Sequence, residues 1–333
     1  MTNPPLLTVD RLVVSYQGAA GPMRAVDNVS LALGRGATVG LVGESGSGKS
    51  TFALALMRLL PRHGWIESGS ATLGDTDLLA MTDEEFRRAI RWRAMSMVFQ
   101  SAMNSLNPVM RVGRLLLEAI QFHDRSLSRS EAGERVSELF VAVGLRKEDL
   151  RRYPHEMSGG MRQRAVIALS LVASPQIVIA DEATTALDVL IQDQILLTLL
   201  ELREKRGLSL LVVSHDIDVI AKVCDEVLVM YAGRIVEQGP TADVLRNPAH
   251  PYTAGLLAAL PTLRGRKRRL PALSRRANHP AGDARGCRFA PLCSLAEDIC
   301  WSIEPELPDT KRAARCHFAG DSRIRDAFAD DVS

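Results

Sequence analysis

The chain has 333 residues, a length that indicates about two domains. Its 41 Lys and Arg residues nearly balance its 39 Asp and Glu residues, and 46% of the chain is hydrophobic. This composition excludes a chain that is disordered as a whole.

The N-terminal stretch MTNPPLLTVD lacks a basic region followed by a long apolar one, so no secretion signal is expected. The chain is therefore predicted to stay in the cytoplasm, where disulfides are disfavoured. Its longest purely apolar runs, such as LLVV at residues 210–213, are strand-length and far short of the roughly 18 residues of a membrane span. Any membrane role is expected to come through a partner.

Short β-branched runs alternate with amphipathic helical patterns, which predicts an α/β fold with a mixed, mainly parallel sheet. ATVGLVG and QIVIAD predict buried strands, and DVLIQDQILLTLLELREKRG predicts a helix that ends at Gly207. Near Pro261 the composition changes to a stretch rich in Arg, Pro and Gly. This change predicts a linker between a domain of residues 1–260 and an extension of residues 261–333.

The stretch GESGSGKST, residues 43–51, matches GxxxxGK[ST] directly after a predicted strand and before the helical run FALALMRLL. Its glycines let the backbone wrap around phosphates, and the following helix adds its positive end. Lys49 would reach the β and γ phosphates, and the Ser50 hydroxyl would ligate Mg²⁺. The other candidate ATP contacts in this loop are Gly43, Ser45, Gly46, Gly48 and Thr51. The alternative, a plain Gly/Ser turn, is disfavoured by the strand and helix on either side.

Two later stretches carry further polar groups. IVIADE places Asp181 at the end of a buried strand, where it can hold the Mg²⁺ water shell, and Glu182 beside the attacking water. Taken alone, this acidic pair is equally consistent with a solvated turn. In MSGGMRQR, Ser158, Gly159 and Gly160 offer hydroxyl and backbone donors at a predicted helix N-terminus, which makes a second anion site.

Together these motifs resemble the ATP-binding cassette (ABC) family, whose signature motif is usually written LSGGQ. The resemblance covers residues 6 to about 245 and implies a P-loop NTPase fold with a helical lobe inserted at about residues 104–165. The chain departs from the signature at Met157 and Met161. Peptide-importer members often carry the same SGGMRQR, so the departure identifies a subtype.

The resemblance implies roles for four more residues. Tyr16 in RLVVSY is similar to the aromatic that stacks on adenine, and Gln100 in MSMVFQ to the glutamine that senses Mg²⁺ and the transmembrane partner. Asp188 in TALD is similar to the residue along the dimer seam, and His215 in SHD to the histidine that contacts the γ-phosphate. Each alone would have an ordinary structural explanation, such as a core aromatic or a helix N-cap.

In the resembled family, two cassettes face each other with ATP in the seam, and its binding closes the pair while its hydrolysis reopens it. Each nucleotide would then contact Lys49 of one chain and Ser158 of the other. The residues implied at catalytic positions are Glu182, His215 and Gln100, and those implied around Mg²⁺ are Ser50, Gln100 and Asp181. The chain is therefore expected to be an ATPase.

The stretches RNPAHPYTAGLLAALP, from residue 246, and SLNPVMRVG, from residue 105, resemble the oligopeptide and dipeptide importer branch. That branch implies two membrane permeases, a second ABC ATPase (a paralogue or the same chain) and a substrate-binding protein in the periplasm or outside the cell. It also implies a peripheral position at the cytoplasmic face of the inner membrane. Cargo in the branch spans peptides, nickel, some sugars and opines, so the cargo stays open.

Four of the five cysteines lie within 30 residues near the end of the chain: Cys287, Cys293, Cys300 and Cys316. Four thiolates suit either a [4Fe-4S] cluster or tetrahedral Zn²⁺, with His317 as a substitute ligand. Their gaps of five, six and fifteen residues are wider than the CxxC pairs of zinc sites. We expect an iron–sulfur cluster, which some subunits of the resembled branch hold; zinc and unliganded thiols stay open as alternatives. Cys224 is interpreted as a buried core thiol.

The basic run RGRKRR, from Arg264, predicts a solvated linker, with contact to anionic lipid beside the permease as the alternative. No aromatic residue interrupts residues 264–276, so no nucleic-acid partner is expected. Two rival functions are a soluble ABC ATPase acting on ribosomes or nucleic acid and a metal-sensing binding module. Members of the first class commonly carry two cassettes or long coiled arms, which this sequence lacks.

Overall fold

The computed structural model describes residues 4–19, 21–99, 105–183, 188–259 and 285–326. Gln100, the linker predicted near Pro261 and the basic run from Arg264 lie outside these residues. The strands are β1 (Leu7–Gly18), β2 (Gly21–Leu33), β3 (Thr38–Val42), β4 (Gly64–Leu73), β5 (Thr76–Asp77), β6 (Met95–Val98), β7 (Ile177–Asp181), β8 (Ser209–Ser214), β9 (Glu226–Tyr231), β10 (Arg234–Pro240) and β11 (Ala313–Ala314).

The α-helices are α1 (Lys49–Leu56), α2 (Asp83–Glu85), α3 (Val112–His123), α4 (Arg129–Ala142), α5 (Gly159–Ser170), α6 (Val189–Arg206), α7 (Ile217–Val223), α8 (Thr241–Arg246), α9 (Pro251–Ala258), α10 (Asp298–Ser302) and α11 (Ser322–Asp326). Short 3₁₀ turns lie at Lys147–Arg151, Pro154–Glu156 and Ala290–Leu292, and a π turn lies at Phe86–Ile90. None of the described helices combines the length and apolarity that crossing a membrane requires.

The larger sheet has seven strands in the order β11-β10-β9-β3-β8-β7-β6. Neighbouring strands in the run β9-β3-β8-β7-β6 pair in parallel. Strand β10 pairs antiparallel with β9, and β11 pairs antiparallel with β10. The predicted mixed, mainly parallel sheet is therefore confirmed. The predicted strands ATVGLVG and QIVIAD form β3 and β7, in which every residue is buried. The predicted helix is α6, and it ends at Gly207 in a left-handed conformation.

A second sheet, with strands in the order β2-β1-β4-β5, is antiparallel throughout. The sequence pattern does not predict this sheet. Its strands alternate between buried and exposed residues only in part, and register shifts interrupt the pairing of β1 with β2 and β4. Such bulges break the period of two that identifies a strand from sequence.

The seven-stranded sheet separates two hydrophobic cores. Along β8, Leu210 and Val212 face one core, and Leu211 and Val213 face the other, as the period of a strand requires. The first core includes the helices between β6 and β7, and the second includes α1 and the antiparallel sheet. Cys224 is buried in the first core, as predicted.

Residues 285–326, here called the C-terminal segment, pack onto the larger sheet. Strand β11 extends it beside β10, with Ala314 opposite Glu237. Phe289, Cys293 and Cys300 are buried in the core that also contains residues of α3, α4 and α5. The described parts on either side of residues 260–284 therefore share one continuous core.

Helix α9 is held at its N-terminus by buried polar groups. The Glu237 carboxylate accepts the N–H groups of Ala249 and His250. The His250 ring lies 1% exposed, and its Nδ1 accepts the N–H of Tyr252 at 3.0 Å. Burial lowers the pKa of His250 to about 3, so the ring is neutral in the folded protein.

This buried histidine predicts a loss of stability in acid. The unfolded chain takes up a proton on His250 as the pH falls below about 6.5, and the folded chain does not until about pH 3. The free energy of unfolding should therefore fall below pH 6.5 by up to about 1.4 kcal/mol per pH unit from this group. Urea unfolding at about pH 7.5 and about pH 5.5 measures the change.

His250→Asn serves as the matched variant because Asn keeps an acceptor for the Tyr252 N–H and does not titrate in this range. Its free energy of unfolding should change less than that of the wild type between the two pH values. Equal changes in both proteins would show that His250 does not couple folding to pH.

Candidate functional site

The loop of residues 43–48 joins β3 to α1 and approaches other parts of the backbone very closely. Gly48 has a φ of +105°, and an added Cβ there would lie 2.2 Å from the carbonyl oxygen of Ala25. At Gly43 an added Cβ would lie 2.1 Å from the carbonyl oxygen of Met230. Only glycine fits at these two positions, which explains why the motif places glycines there.

Lys49, the first residue of α1, is 4% exposed. Its Nζ donates to the carbonyl oxygens of Gly43 at 2.8 Å and Glu44 at 2.7 Å. Burial lowers the pKa of Lys49, while the negative charges of Glu182 and Asp181 partly oppose this shift. In the described part of the chain, this buried ammonium makes its hydrogen bonds to carbonyl and hydroxyl oxygens, which leaves it well suited to bind an anion.

The next residue, Ser50, connects this loop to the end of β7. Its Oγ donates to Oδ1 of Asp181 at 3.1 Å. Strand register brings the two together, because Val42 pairs with Ser214 and Asp181 pairs with Val213, so β3, β8 and β7 end within one residue of each other. Burial raises the pKa of Asp181, and the charge of Glu182 adds to the rise.

Glu182 follows in an unusual backbone conformation. Its φ is +48°, although it is not glycine, and its N–H donates to the Val213 carbonyl at 2.9 Å. The side chain is 10% exposed, and its Oε1 lies 3.1 Å from Nδ1 of His215. Such strain costs about 1–3 kcal/mol and is concentrated at functional sites. Here it turns the carboxylate toward the histidine that follows β8.

Tyr16 lies at the edge of this group of residues. Its hydroxyl donates to Oγ1 of Thr51 at 3.2 Å, and its half-buried ring packs against His63 at a centroid distance of 5.3 Å. No sequence pattern indicates His63 at this place, because it is the pairing of Tyr16 with Gly64 across β1 and β4 that brings it here.

Ser158 and Asp188, two further predicted site residues, lie at helix N-termini. Ser158 is exposed, and its Oγ accepts the N–H of Met161 at the start of α5. Asp188 is also exposed and accepts the N–H of Ile191 at the start of α6. Within the described part of the chain, no hydrogen bond or ion pair joins either residue to the loop of residues 43–48.

Residues 26–185 match the family described as ABC transporter, and residues 236–300 match the C-terminal region of oligopeptide/dipeptide transporters. The chain is 41% identical over 316 residues to the oligopeptide transport ATP-binding protein AppD of Bacillus subtilis, covering 93% of this chain and 96% of AppD. It is 42% identical over 302 residues to OppD of Escherichia coli, covering 90% and 89% of the two chains. This chain belongs to the ABC transporter family.

Solved ABC structures have a similar fold. The ATP-binding cassette MJ0796, solved as a dimer bound to ADP and Pi, superposes with a TM-score of 0.63 at 26% identity and covers 71% of this chain and 98% of its own. The structure of cbiO1 from Clostridium perfringens, part of the ABC transporter complex cbiONQ, gives 0.64 at 25% identity and covers 73% and 92%. The predicted ABC-type core is confirmed.

A hydrogen bond connects the P-loop of this ABC cassette to the region that matches the importer branch. The backbone N–H of Glu44, in the P-loop, donates to the hydroxyl of Tyr252 at 2.9 Å. The stretch that contains Tyr252 resembles the importer branch in sequence, but its pattern indicates no role for Tyr252. The contact joins residues 208 positions apart, so no local pattern indicates it.

The C-terminal segment of this ABC chain encloses a small, mostly apolar cavity. Four of its lining residues are Cys287, Cys293, Cys300 and Cys316. His250, Phe289 and His317 also line it. The sequence prediction that these four cysteines share one place is therefore consistent with the fold. No disulfide joins any of the five cysteines, all of which lie in described segments.

The prediction of a metal at these cysteines is not supported by the arrangement of their side chains. Among the described residues, no group of three or more His, Cys, Asp or Glu side chains is arranged to hold a metal ion. Burial raises the pKa of Cys316 to about 12, and the other three cysteines add to the rise. Without a cation, such thiols stay protonated and pack as small apolar groups. The Nε2 of His317, the predicted substitute ligand, lies 2.9 Å from the Ile303 carbonyl oxygen.

The close backbone contacts of the P-loop predict unequal costs for two glycine substitutions. Gly46→Ala places a Cβ in open space at a φ of +82°, so it should cost only backbone strain of about 1–3 kcal/mol. Gly48→Ala adds the clash with Ala25 and should cost about 1–3 kcal/mol more. Chemical denaturation measures both free energies. Equal free energies of unfolding would show that the contact at Gly48 tolerates a methyl group.

Proposed function

We infer that this chain is the ATP-hydrolysing subunit of an ABC importer for peptides or a related small solute. The observation that carries the inference is the P-loop joined through Ser50 to Asp181, in a chain whose close relatives are named oligopeptide transport ATP-binding proteins. An ATPase acting on nucleic acid or ribosomes is not favoured, because residues 236–300 match a transporter family.

We propose that the P-loop binds the phosphates of ATP. Lys49 now donates to two carbonyl oxygens of the same loop, and phosphate oxygens would replace them as stronger, charged partners. The backbone N–H groups and the start of α1 would supply the remaining contacts. The proposed ATP contacts are Gly43, Ser45, Gly46, Gly48, Lys49, Ser50 and Thr51, with Tyr16 at the adenine.

The oxygen atoms next to the P-loop suit Mg²⁺. Ser50 Oγ and Asp181 Oδ1 lie 3.1 Å apart, and hydroxyl and carboxylate oxygens are the ligands that this hard cation prefers. Bound Mg²⁺ would neutralise charge on the β and γ phosphates. We propose Gln100, which lies outside the described residues, as a further group around the metal.

Glu182 and His215 are the proposed catalytic pair. The Glu182 carboxylate would orient the attacking water and accept its proton, while His215 Nδ1 holds the carboxylate in place at 3.1 Å. With Nδ1 facing Glu182, Nε2 on the opposite side of the ring would face the γ-phosphate.

The second half of the site is proposed to come from a second ATPase chain, a copy of this one or a paralogue. Ser158 and Asp188 are exposed at helix N-termini and make no hydrogen bond to the P-loop in the described residues. We propose that Ser158, Gly159 and Gly160 contact the γ-phosphate held by the partner. The dimer of the ATP-binding cassette MJ0796 supports this arrangement.

Membrane permeases complete the proposed machine. Two permeases would bind the ATPase pair at the cytoplasmic face of the inner membrane, and a substrate-binding protein would deliver the cargo from the other side. The names of AppD and OppD support peptides as cargo. Nickel, sugars and opines are alternatives that transport assays separate.

The proposed role of Glu182 predicts that Glu182→Gln separates ATP binding from ATP hydrolysis. Gln fills the same space but cannot accept a proton, so turnover should fall by about a hundredfold or more. The Kd for ATP should stay close to the wild-type value. ATPase rates and ATP titrations on the full chain measure both quantities. Glu204→Gln, on the exposed face of α6, is the control and should leave both unchanged. Undiminished turnover in Glu182→Gln would remove this residue from the mechanism.

We also propose that residues 1–260 form the ATPase domain, with a helical lobe at about residues 104–165, and that residues 261–333 form an extension.

We propose that this extension holds a [4Fe-4S] cluster. Four thiols line one cavity, yet among the described residues no group of three or more His, Cys, Asp or Glu side chains is arranged to hold a single metal ion. Zn²⁺ needs four sulfurs about 2.3 Å from a single centre. A [4Fe-4S] cluster gives each cysteine its own iron, which tolerates more widely spaced sulfurs.

Metal analysis tests the cluster. The chain purified without oxygen should contain about four irons and about four acid-labile sulfides, and Cys293→Ser should lose them. Cys224→Ser, which changes a core cysteine outside the cavity, is the control and should retain them. One zinc per chain, or no metal, would contradict the cluster and leave the ATPase assignment standing.

A further inference from the structure

The hydroxyl of Tyr252 forms a hydrogen bond with the backbone of the P-loop. Tyr252 lies in α9, is 4% exposed, and its hydroxyl accepts the N–H of Glu44 at 2.9 Å. The carbonyl oxygen of Glu44 accepts a hydrogen bond from Lys49 Nζ at 2.7 Å. Tyr252 and Lys49 therefore hold the peptide groups on the two sides of Glu44. The loop between them is the one that must present its N–H groups to phosphate.

The ring of Tyr252 packs into an aromatic cluster. Its centroid lies 4.7 Å from that of Tyr231 and 5.6 Å from that of Phe289 in the C-terminal segment. Phe289 is 3% exposed and also lines the cysteine cavity. Buried aromatic contacts of this kind fix ring positions. The position of the Tyr252 hydroxyl therefore depends on the C-terminal segment.

A second connection reaches the P-loop from the same segment. Arg288 donates to the carbonyl of Ala232 in the turn between β9 and β10. The next residue, Gly233, donates its N–H to the carbonyl of Ser47 in the P-loop at 2.9 Å. Arg288 also pairs with the buried carboxylate of Asp27. Adjacent residues of the C-terminal segment, Arg288 and Phe289, thus support the P-loop at two separate points.

We propose that Tyr252 is a positioning residue of the nucleotide site, holding the Glu44 peptide so that the P-loop is preorganised for ATP, and that Phe289 couples this hydrogen bond to the C-terminal segment. The inference rests on the proposed binding of ATP by the P-loop. Preorganisation raises affinity by reducing the ordering that binding requires. Because the bond supports the binding loop and does not touch the reacting groups, it should affect ATP affinity and not the chemical step.

The test compares the Kd for ATP, and the KM and kcat of hydrolysis, in the full chain and in Tyr252→Phe. The variant keeps the ring and removes only the hydroxyl, so the Kd and KM should rise by about three- to tenfold, with kcat unchanged at saturating ATP. Tyr231→Phe removes a hydroxyl from the same aromatic cluster and should bind ATP as the wild type does. An unchanged Kd in Tyr252→Phe, or an equal rise in Tyr231→Phe, would overturn the proposal.

Phe289→Leu tests the coupling to the C-terminal segment. Alone it should weaken ATP binding, and in the Tyr252→Phe background it should have no further effect, because the bond through which it acts is already gone. Additive effects, or no effect of Phe289→Leu alone, would overturn this coupling.

A Lys49→Ala chain separates this inference from the proposed function. If the wild type binds ATP and Lys49→Ala does not, the site binds ATP, and the result for Tyr252→Phe decides the inference alone. If the wild type and Lys49→Ala both fail to bind ATP, the proposed function fails, and the inference fails with it.

Discussion

The closely aligned ends of three adjacent parallel strands are the constraint on which the proposed nucleotide site depends. Strands β3, β8 and β7 lie side by side, and their register brings Val42, Ser214 and Asp181 to one edge of the sheet. The P-loop, His215 and Glu182 follow these strands directly. A slip of one residue in either pairing would turn the side chains of a strand to the opposite face. The hydrogen bond between Ser50 and Asp181 would then be lost.

The C-terminal segment belongs to this arrangement and is not a separate appendage. It adds β11 to the larger sheet and contributes buried residues to the same core as the cassette helices. Burial opposes the charge of Asp27, but hydrogen bonds and charges from Arg234 and Arg288 outweigh it and lower the pKa of this carboxyl. The ion pair of Asp27 with Arg288 therefore joins the C-terminal segment to β2. A change in the cysteine cavity has a short physical connection to the nucleotide site through Phe289 and Tyr252.

Features that depend on contiguous motifs could be predicted from the sequence. Contacts between residues far apart in the chain could not. The P-loop and Asp181 were found because each motif is contiguous and lies at the end of a buried apolar strand. The antiparallel sheet was missed because bulges interrupt the pattern of β1. His63 and Tyr252 were missed because strand register and packing between distant segments, not sequence spacing, create their contacts. The cysteines were predicted to converge, and they line one cavity, but spacing alone could not give the positions of their sulfur atoms.

The most direct test of the importer assignment measures ATP hydrolysis and peptide uptake together. The chain would be reconstituted into lipid vesicles with its permeases and partner ATPase. ATP would be supplied on the side of the membrane that carries the ATPase. We expect the rate of ATP hydrolysis to rise when the permeases and a peptide-loaded binding protein are present, and the hydrolysis to drive peptide uptake. RNA should leave this rate unchanged. Hydrolysis that rises with RNA and ignores the permeases would contradict the account.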